Sequence, residues 1–183
     1  ISDQQRAPLA AVSPNWIRTV YNGVNPDHFP FSPESGDYLV FLGRLSEEKR
    51  PDLAVQVAKK AGIQLKIAGK VDVGDRRYFE EEVAPLLNHP LVEFVGELGP
   101  EKIEFLGNAL ALLFPIDWPE PFGLVMIESL ACGTPVIAIT GWGEHPGALA
   151  TEAEADLVLD KPFELVDLER HVAELLAGRL GKR

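Results

Sequence analysis

From residue 38 onward, short apolar runs alternate with longer amphipathic ones. The runs are Tyr38–Leu42 ending at Gly43, Leu65–Ala68 ending at Gly69, and Val92–Val95 ending at Gly96. They continue with Ala111–Phe114 ending at Pro115, Pro135–Ile139 ending near Gly141, and Leu157–Leu159. Short runs bounded by glycine or proline fit strands buried on both faces. Helical patterns lie between them. Glu48–Ala61 places Leu53, Val57 and Ala61 on one face, and Arg76–Leu87 is acidic outside with Phe79, Val83, Leu86 and Leu87 inside. Glu101–Asn108 is short, Phe122–Cys132 is apolar nearly all round and should be buried, and Leu165–Ala177 aligns Leu168, Val172, Leu175 and Leu176. Strands alternating with helices predict βαβ units, and right-handed crossovers make these an α/β fold: a Rossmann-like, doubly wound parallel sheet. Residues 1–35 break the rhythm with Pro8, Pro14, Pro26, Pro30 and Pro33 and an Asn22-Gly23 turn. One strand is expected there, Ile17–Tyr21. The stretch reads as a tail or linker from a neighbouring domain, and residues 36–183 as the Rossmann-like domain.

Composition narrows the partners. With 17 Lys and Arg against 28 Asp and Glu, the formal net charge is −11. Such a surface repels nucleic acid and anionic membrane, so any phosphate must be held by a local cluster of cations and backbone N–H groups. The single cysteine, Cys132, excludes a disulfide within the chain and cysteine-based zinc sites. The four histidines, His28, His89, His145 and His171, show no metal spacing, and no metal is expected. No apolar run reaches transmembrane length and the start is polar. A cytoplasmic location is therefore expected. The first residue, Ile1, suggests an excised piece.

Ligands of open α/β sheets collect at the C-terminal ends of the strands, and three features fall there. The first is Gly43-Arg44 after the first run, with Lys49 close behind. Gly43 allows a close backbone approach, Arg44 offers a planar fork for phosphate oxygens, and Lys49 adds a point charge near a helix N-terminus. The bland alternative is a solvated pair answering Glu47 and Glu48. The second is Pro119-Glu120-Pro121-Phe122-Gly123, leading into the helix that carries Glu128. Backbone N–H groups around Gly123 and Leu124 suit a phosphate. Glu120 alone could simply favour a helix N-terminus, whereas Glu128 within an apolar helix needs a partner or a ligand. The third, Ala131-Cys132-Gly133-Thr134-Pro135, reads as a left-handed helix stop and a strand start, with no activating partner in sight for Cys132. Gly141-Trp142-Gly143-Glu144-His145-Pro146-Gly147 imitates a dinucleotide loop, but it follows the fifth run and Pro146 interrupts it. His145 would lie at the mouth of the cleft, where a solvated bystander is the ordinary reading.

Assembled, these residues resemble the retaining glycosyltransferases of family 4, which have the two-domain GT-B architecture. The matching stretches are FLGRLSEEKRPDLA, LKIAGK, VEFVGEL and LLFPIDWPEPFGLVMIESLACGTPVIA, from about Tyr38 to Ile139. They correspond to the C-terminal, donor-binding domain. The resemblance implies that Arg44 and Lys49 hold a nucleotide diphosphate and that Glu120 lies by the transferred sugar. It implies that the Phe122, Gly123 and Leu124 amides meet sugar and phosphate, that Glu128 binds the ribose hydroxyls, and that the loop after Gly96 walls the base. No cofactor is implied. The donor would be a UDP-, GDP- or ADP-sugar, transferred with retention and commonly without a metal.

The chain also departs from that family. Arg50 stands where glycine usually follows the lysine, and Pro146 is followed by Gly147 rather than by glutamate. The acceptor-binding N-terminal domain is expected to be missing, so the chain should bind donor without efficient transfer. The face left uncovered would invite self-association into a homodimer. The full-length protein is left open to peripheral membrane attachment. Two other readings stay open: a non-catalytic binding or interaction module of the same fold, and another GT-B enzyme such as an epimerase or phosphorylase.

Overall fold

The computed structural model describes residues 11–12, 15–34, 36–140, 157–160, 170 and 174. Six parallel strands form one sheet in the order β3-β2-β1-β4-β5-β6. They are β1 Leu39–Leu42, β2 Leu65–Ala68, β3 Val92–Gly96, β4 Ala111–Ile116, β5 Val136–Thr140 and β6 Leu157–Asp160. This is the doubly wound order, and it reverses direction between β1 and β4. Among the described residues, the α-helices whose two ends are both described are α1 Pro51–Ala61, α2 Arg76–Tyr78, α3 Lys102–Gly107 and α4 Leu124–Ala131.

Alternation along the strands splits the core into two layers. Leu39, Phe41, Leu65, Ile67 and Leu113 pack with Ala54, Val55 and Ala58 of α1. Val40, Leu112, Phe114, Val136 and Ala138 pack with Leu106 of α3 and Met126 of α4. Phe29, which follows a 3-10 turn at Pro26–His28, joins the second layer.

Several sequence expectations need correcting. No strand forms over Ile17–Tyr21, and Ile17 is 95% exposed. A strand needs a neighbour for its N–H and C=O groups, and the sheet order takes in no strand from this stretch. β3 is not buried on both faces: it lies at an edge, with Phe94 39% exposed. The helix expected from Glu48 begins at Pro51, a residue suited to the first helical position. Its buried stripe is Pro51, Ala54, Val55, Val57 and Ala58. The pattern over Arg76–Leu87 keeps Val83 buried but not its regularity. α2 passes into a π turn at Phe79–Val83 and a 3-10 turn at Ala84–Asn88. Pro85 explains the break, because its ring lacks an N–H and clashes with the preceding turn. α4 starts at Leu124 rather than Phe122 and is half-buried, with Leu124 43% exposed. The loop Gly141–Gly147, His145 included, lies outside the described residues. So does the expected helix Leu165–Ala177, apart from helical Arg170 and Glu174.

Candidate functional site

β1 and β4 are neighbours whose pairing covers only Leu39 with Ala111 and Val40 with Leu112. Beyond that point β1 runs on to Leu42 and β4 to Ile116, so the two strands part at their C-terminal ends. A cleft of about 430 Å³ opens there, floored by Phe41, Leu42, Leu113, Phe114 and Ile116. It lies at the topological switch point, where ligands of such sheets bind.

Two loops form its walls. The loop after β1 is held by its neighbours' backbone: the Gly43 N–H donates to Ala68 O at 3.1 Å and the Leu45 N–H to Lys70 O at 2.9 Å. A Cβ on Gly69 would lie 1.8 Å from the Gly43 carbonyl oxygen, so only glycine permits that approach. The loop then turns back, with the Lys49 and Arg50 N–H groups both donating to Ser46 O at 3.1 Å. Lys49 lies just outside α1, before Arg50 and Pro51. The second wall is the loop after β4, ending at Gly123. Gly123 takes φ 71, and that left-handed turn delays the start of α4. A Cβ there would also meet Met126 Cε at 2.6 Å.

Of the residues singled out in the sequence, Gly43, Lys49, Glu120, Phe122, Gly123 and Leu124 line the cleft. Lys49 and Glu120 form an ion pair, with side chains 20% and 12% exposed. The Trp118 indole N–H donates to the same Glu120 oxygen at 2.9 Å, and the Gly123 N–H to the other at 3.3 Å. Lys49 Nζ lies 5.5 Å from the Trp118 ring centroid and 5.9 Å from that of Phe114. The Gly123 amide, offered to phosphate by the sequence reading, thus meets the carboxylate of its own loop.

Three expected site residues are not among those lining the cleft. Arg44 is 42% exposed, turned toward Glu48, with Nε 3.4 Å from Asp75. Gly96 ends β3 at φ 82, and its carbonyl accepts the Gly69 N–H at 2.8 Å. Glu128, 13% exposed, accepts a hydrogen bond from Lys102 Nζ at 2.7 Å. Lys102 supplies the partner that a carboxylate in an apolar helix requires, so burial alone no longer argues for a ligand at Glu128. Cys132, on the turn that ends α4, is fully buried. Burial, with the Glu128 carboxylate adding to it, pushes the Cys132 thiol above its ordinary value.

Sequence reasoning missed Trp118, Lys102 and Asn22, which also lines the cleft. Trp118 sits in the quoted WPEPFG stretch, where an indole two residues before a carboxylate was the available signal. Lys102 and Asn22 come from remote segments and carried none. A second charged group surrounds Arg50, the one non-glycine residue at positive φ among those described. That conformation costs a residue bearing a Cβ about 1–2 kcal/mol. Arg50 Nε and Nη2 each donate to Asp52 at 2.9 Å, and Nη1 donates to Asp117 at 3.1 Å. The Tyr78 hydroxyl donates to Asp52 at 2.6 Å. Burial alone would raise the Asp52 carboxyl, but the hydrogen bonds from Arg50 and Tyr78 outweigh it and hold Asp52 below the usual carboxylate range. Burial and the Asp52 carboxylate push the Tyr78 phenol up.

Among the described residues no group of acidic, histidine or cysteine side chains could hold a metal, and no helix is long and apolar enough to cross a membrane.

Residues 27–183 match the sequence model of the family described as glycosyl transferases group 1. The chain is 32% identical to the D-inositol 3-phosphate glycosyltransferase of Acidothermus cellulolyticus, over 86% of this chain and 40% of that protein. It superposes on AviGT4, a glycosyltransferase involved in avilamycin A biosynthesis, with TM-score 0.72 and 25% identity, covering 94% of this chain and 52% of that one. Sucrose-phosphate synthase from Thermosynechococcus elongatus superposes with TM-score 0.68 and 27% identity, over 98% of this chain and 48% of that one. The chain spans 33% to 44% of the length of the curated relatives it matches. The expected Rossmann-like sheet is therefore shared with solved glycosyltransferases, and by the match over residues 27–183 the chain belongs to the glycosyl transferases of group 1.

Proposed function

We propose that this chain is the donor-binding domain of a retaining, family 4 glycosyltransferase, and that it holds a nucleotide-diphosphate sugar in the cleft between β1 and β4. The observation that carries the reading is the Lys49–Glu120 pair, set beside the N-terminus of α4 where the two strands part. Lys49 is a shielded cation beside first-turn amides, which suits a diphosphate against an overall charge of −11. On binding, the phosphate oxygens compete with Glu120 for Lys49. The freed Glu120 carboxylate then faces the sugar hydroxyls, with Trp118 still donating to it. Arg44, exposed after β1, swings from Glu48 and Asp75 to the diphosphate. Glu128, the ribose ligand in this reading, exchanges Lys102 for the hydroxyls, and the turn at Gly96 walls the base. Lys49, Arg44 and the α4 amides stabilise the charge that develops on the departing nucleotide diphosphate. Transfer further requires an acceptor held against the donor. In this reading the acceptor is held by the portion of such enzymes that this chain does not match.

The test is calorimetric titration with UDP, GDP, ADP and their glucose derivatives, using the wild-type chain and its Glu128→Ala and Lys49→Ala variants. Saturable binding of one nucleotide, weakened at least about tenfold in each variant that remains folded by circular dichroism, is expected. A folded chain that binds none of them refutes a self-sufficient donor site and favours the interaction-module reading.

A further inference from the structure

Lys49 and Glu120 sit on separate loops, and the sheet does not hold those loops together, because the β1–β4 pairing ends at Val40 and Leu112. Besides the contacts of Lys49 itself, two hydrogen bonds bridge the gap. The Asp117 N–H donates to Glu48 O at 2.9 Å, and Arg50 Nη1 donates to Asp117 Oδ2 at 3.1 Å. Arg50 is next to Lys49, and Asp117 begins the loop that carries Trp118 and Glu120. The other end of the guanidinium is fixed by its two hydrogen bonds to Asp52 on α1, and Asp52 is fixed in turn by Tyr78. Arg50 keeps a backbone conformation in which glycine would sit without strain. Starting α1 does not require the contact to Asp117, since Asp52 alone pairs Arg50 within the helix's first turn. A lysine ammonium lacks the planar fork that serves two carboxylates at once.

We infer that Arg50 is a positioning residue: its guanidinium clamps the Glu120 loop to the Lys49 loop and sets the spacing of the two charges in the cleft. What that spacing serves rests on the donor-binding reading above. The clamp itself can be judged without a nucleotide.

The experiment compares wild type, Arg50→Gly, Asp117→Ala and the double variant. Glycine removes the guanidinium while accepting the backbone turn, so α1 should start as before. Affinity is measured by calorimetry for whichever of UDP, GDP and ADP the wild type binds. Acrylamide quenching of Trp118 is measured without nucleotide in a Trp16→Phe, Trp142→Phe background, which leaves Trp118 as the sole indole. Each single variant should weaken binding about tenfold, and the double variant no more than Arg50→Gly alone, because the Arg50–Asp117 contact that Asp117→Ala removes is already lost in Arg50→Gly. Quenching of Trp118 should rise in all three. Unchanged Trp118 quenching overturns the clamp whatever the affinities do. Wild-type affinity in both single variants, or additive losses in the double, overturns it as well. If the wild type binds no nucleotide, the donor reading falls and the quenching comparison still decides the clamp. Should Arg50→Gly fail to fold, Arg50→Lys, which keeps the charge without the fork, takes its place with the same expectations.

Discussion

At the scale of single residues, the cleft is organised around one carboxylate. Glu120 gathers the Lys49 ammonium, the Trp118 indole and the Gly123 amide. Lys49 has a second environment in the Trp118 and Phe114 rings. The two halves of the pair are therefore unequal. Lys49→Ala leaves a carboxylate at 12% exposure without its cation, and should destabilise the fold by about 1–3 kcal/mol. Glu120→Gln keeps an acceptor for Trp118 and leaves Lys49 over its rings, and should cost less than about 1 kcal/mol. Urea unfolding of both variants checks the order, and an equal or larger loss for Glu120→Gln would contradict it. Trp118 could have been suspected from its place beside Glu120, whereas the pairing of Glu128 with Lys102 could not, because it depends on how α3 lies against α4.

At the scale of elements, the start of α1 is set jointly by Pro51 and by the left-handed Arg50 before it. Asp52 in the first turn takes two hydrogen bonds from Arg50 and one from Tyr78 of α2. Its carboxyl is held below the usual range in the folded chain. A depressed folded value contributes stability above the unfolded carboxylate value, near 3.9, and that stability is lost as pH falls through the folded value. Asp52→Asn should therefore be less stable than wild type at neutral pH, and the gap should close as pH falls below about 4. Urea unfolding at stepped pH is the check; a gap that stays constant down to about pH 2.5 would remove Asp52 as its source. The elements that regular patterning misjudged have local causes of the same kind. Pro85 breaks the Arg76–Leu87 pattern, and Gly123 at φ 71 shortens α4.

For the whole molecule, stability and function draw on different parts of one sheet. Central β4 is buried along its full length, while β3 at the edge is half open. Leu112→Ala, at 0% exposure, should cost about 2–5 kcal/mol through lost burial and a residual cavity. Phe94→Ala, at 39% exposure against the Phe79 ring, should cost about 1 kcal/mol. Denaturant midpoints at constant m-value measure both, and comparable losses would contradict the layered core. The cleft lies where β4 and β1 stop pairing, so the loops that carry Lys49 and Glu120 leave the buried centre of the sheet at its splayed C-terminal ends.

Local patterning along the chain was enough for the parallel α/β class, the strands from β1 to β6 to within a residue or two, and the loops that could carry chemistry. These follow from short-range rules: apolar runs closed by glycine or proline, helical spacing, and charged residues placed just after strands. The tertiary structure alone decided which charges meet. Lys49 pairs with Glu120, Glu128 with Lys102, and Arg50 with Asp117. Each pair joins segments brought together only by crossovers in the sheet, and no local pattern encodes that distance. The exposed β3 edge and the parting of β1 from β4 belong to the same class, because both depend on which strands end up as neighbours.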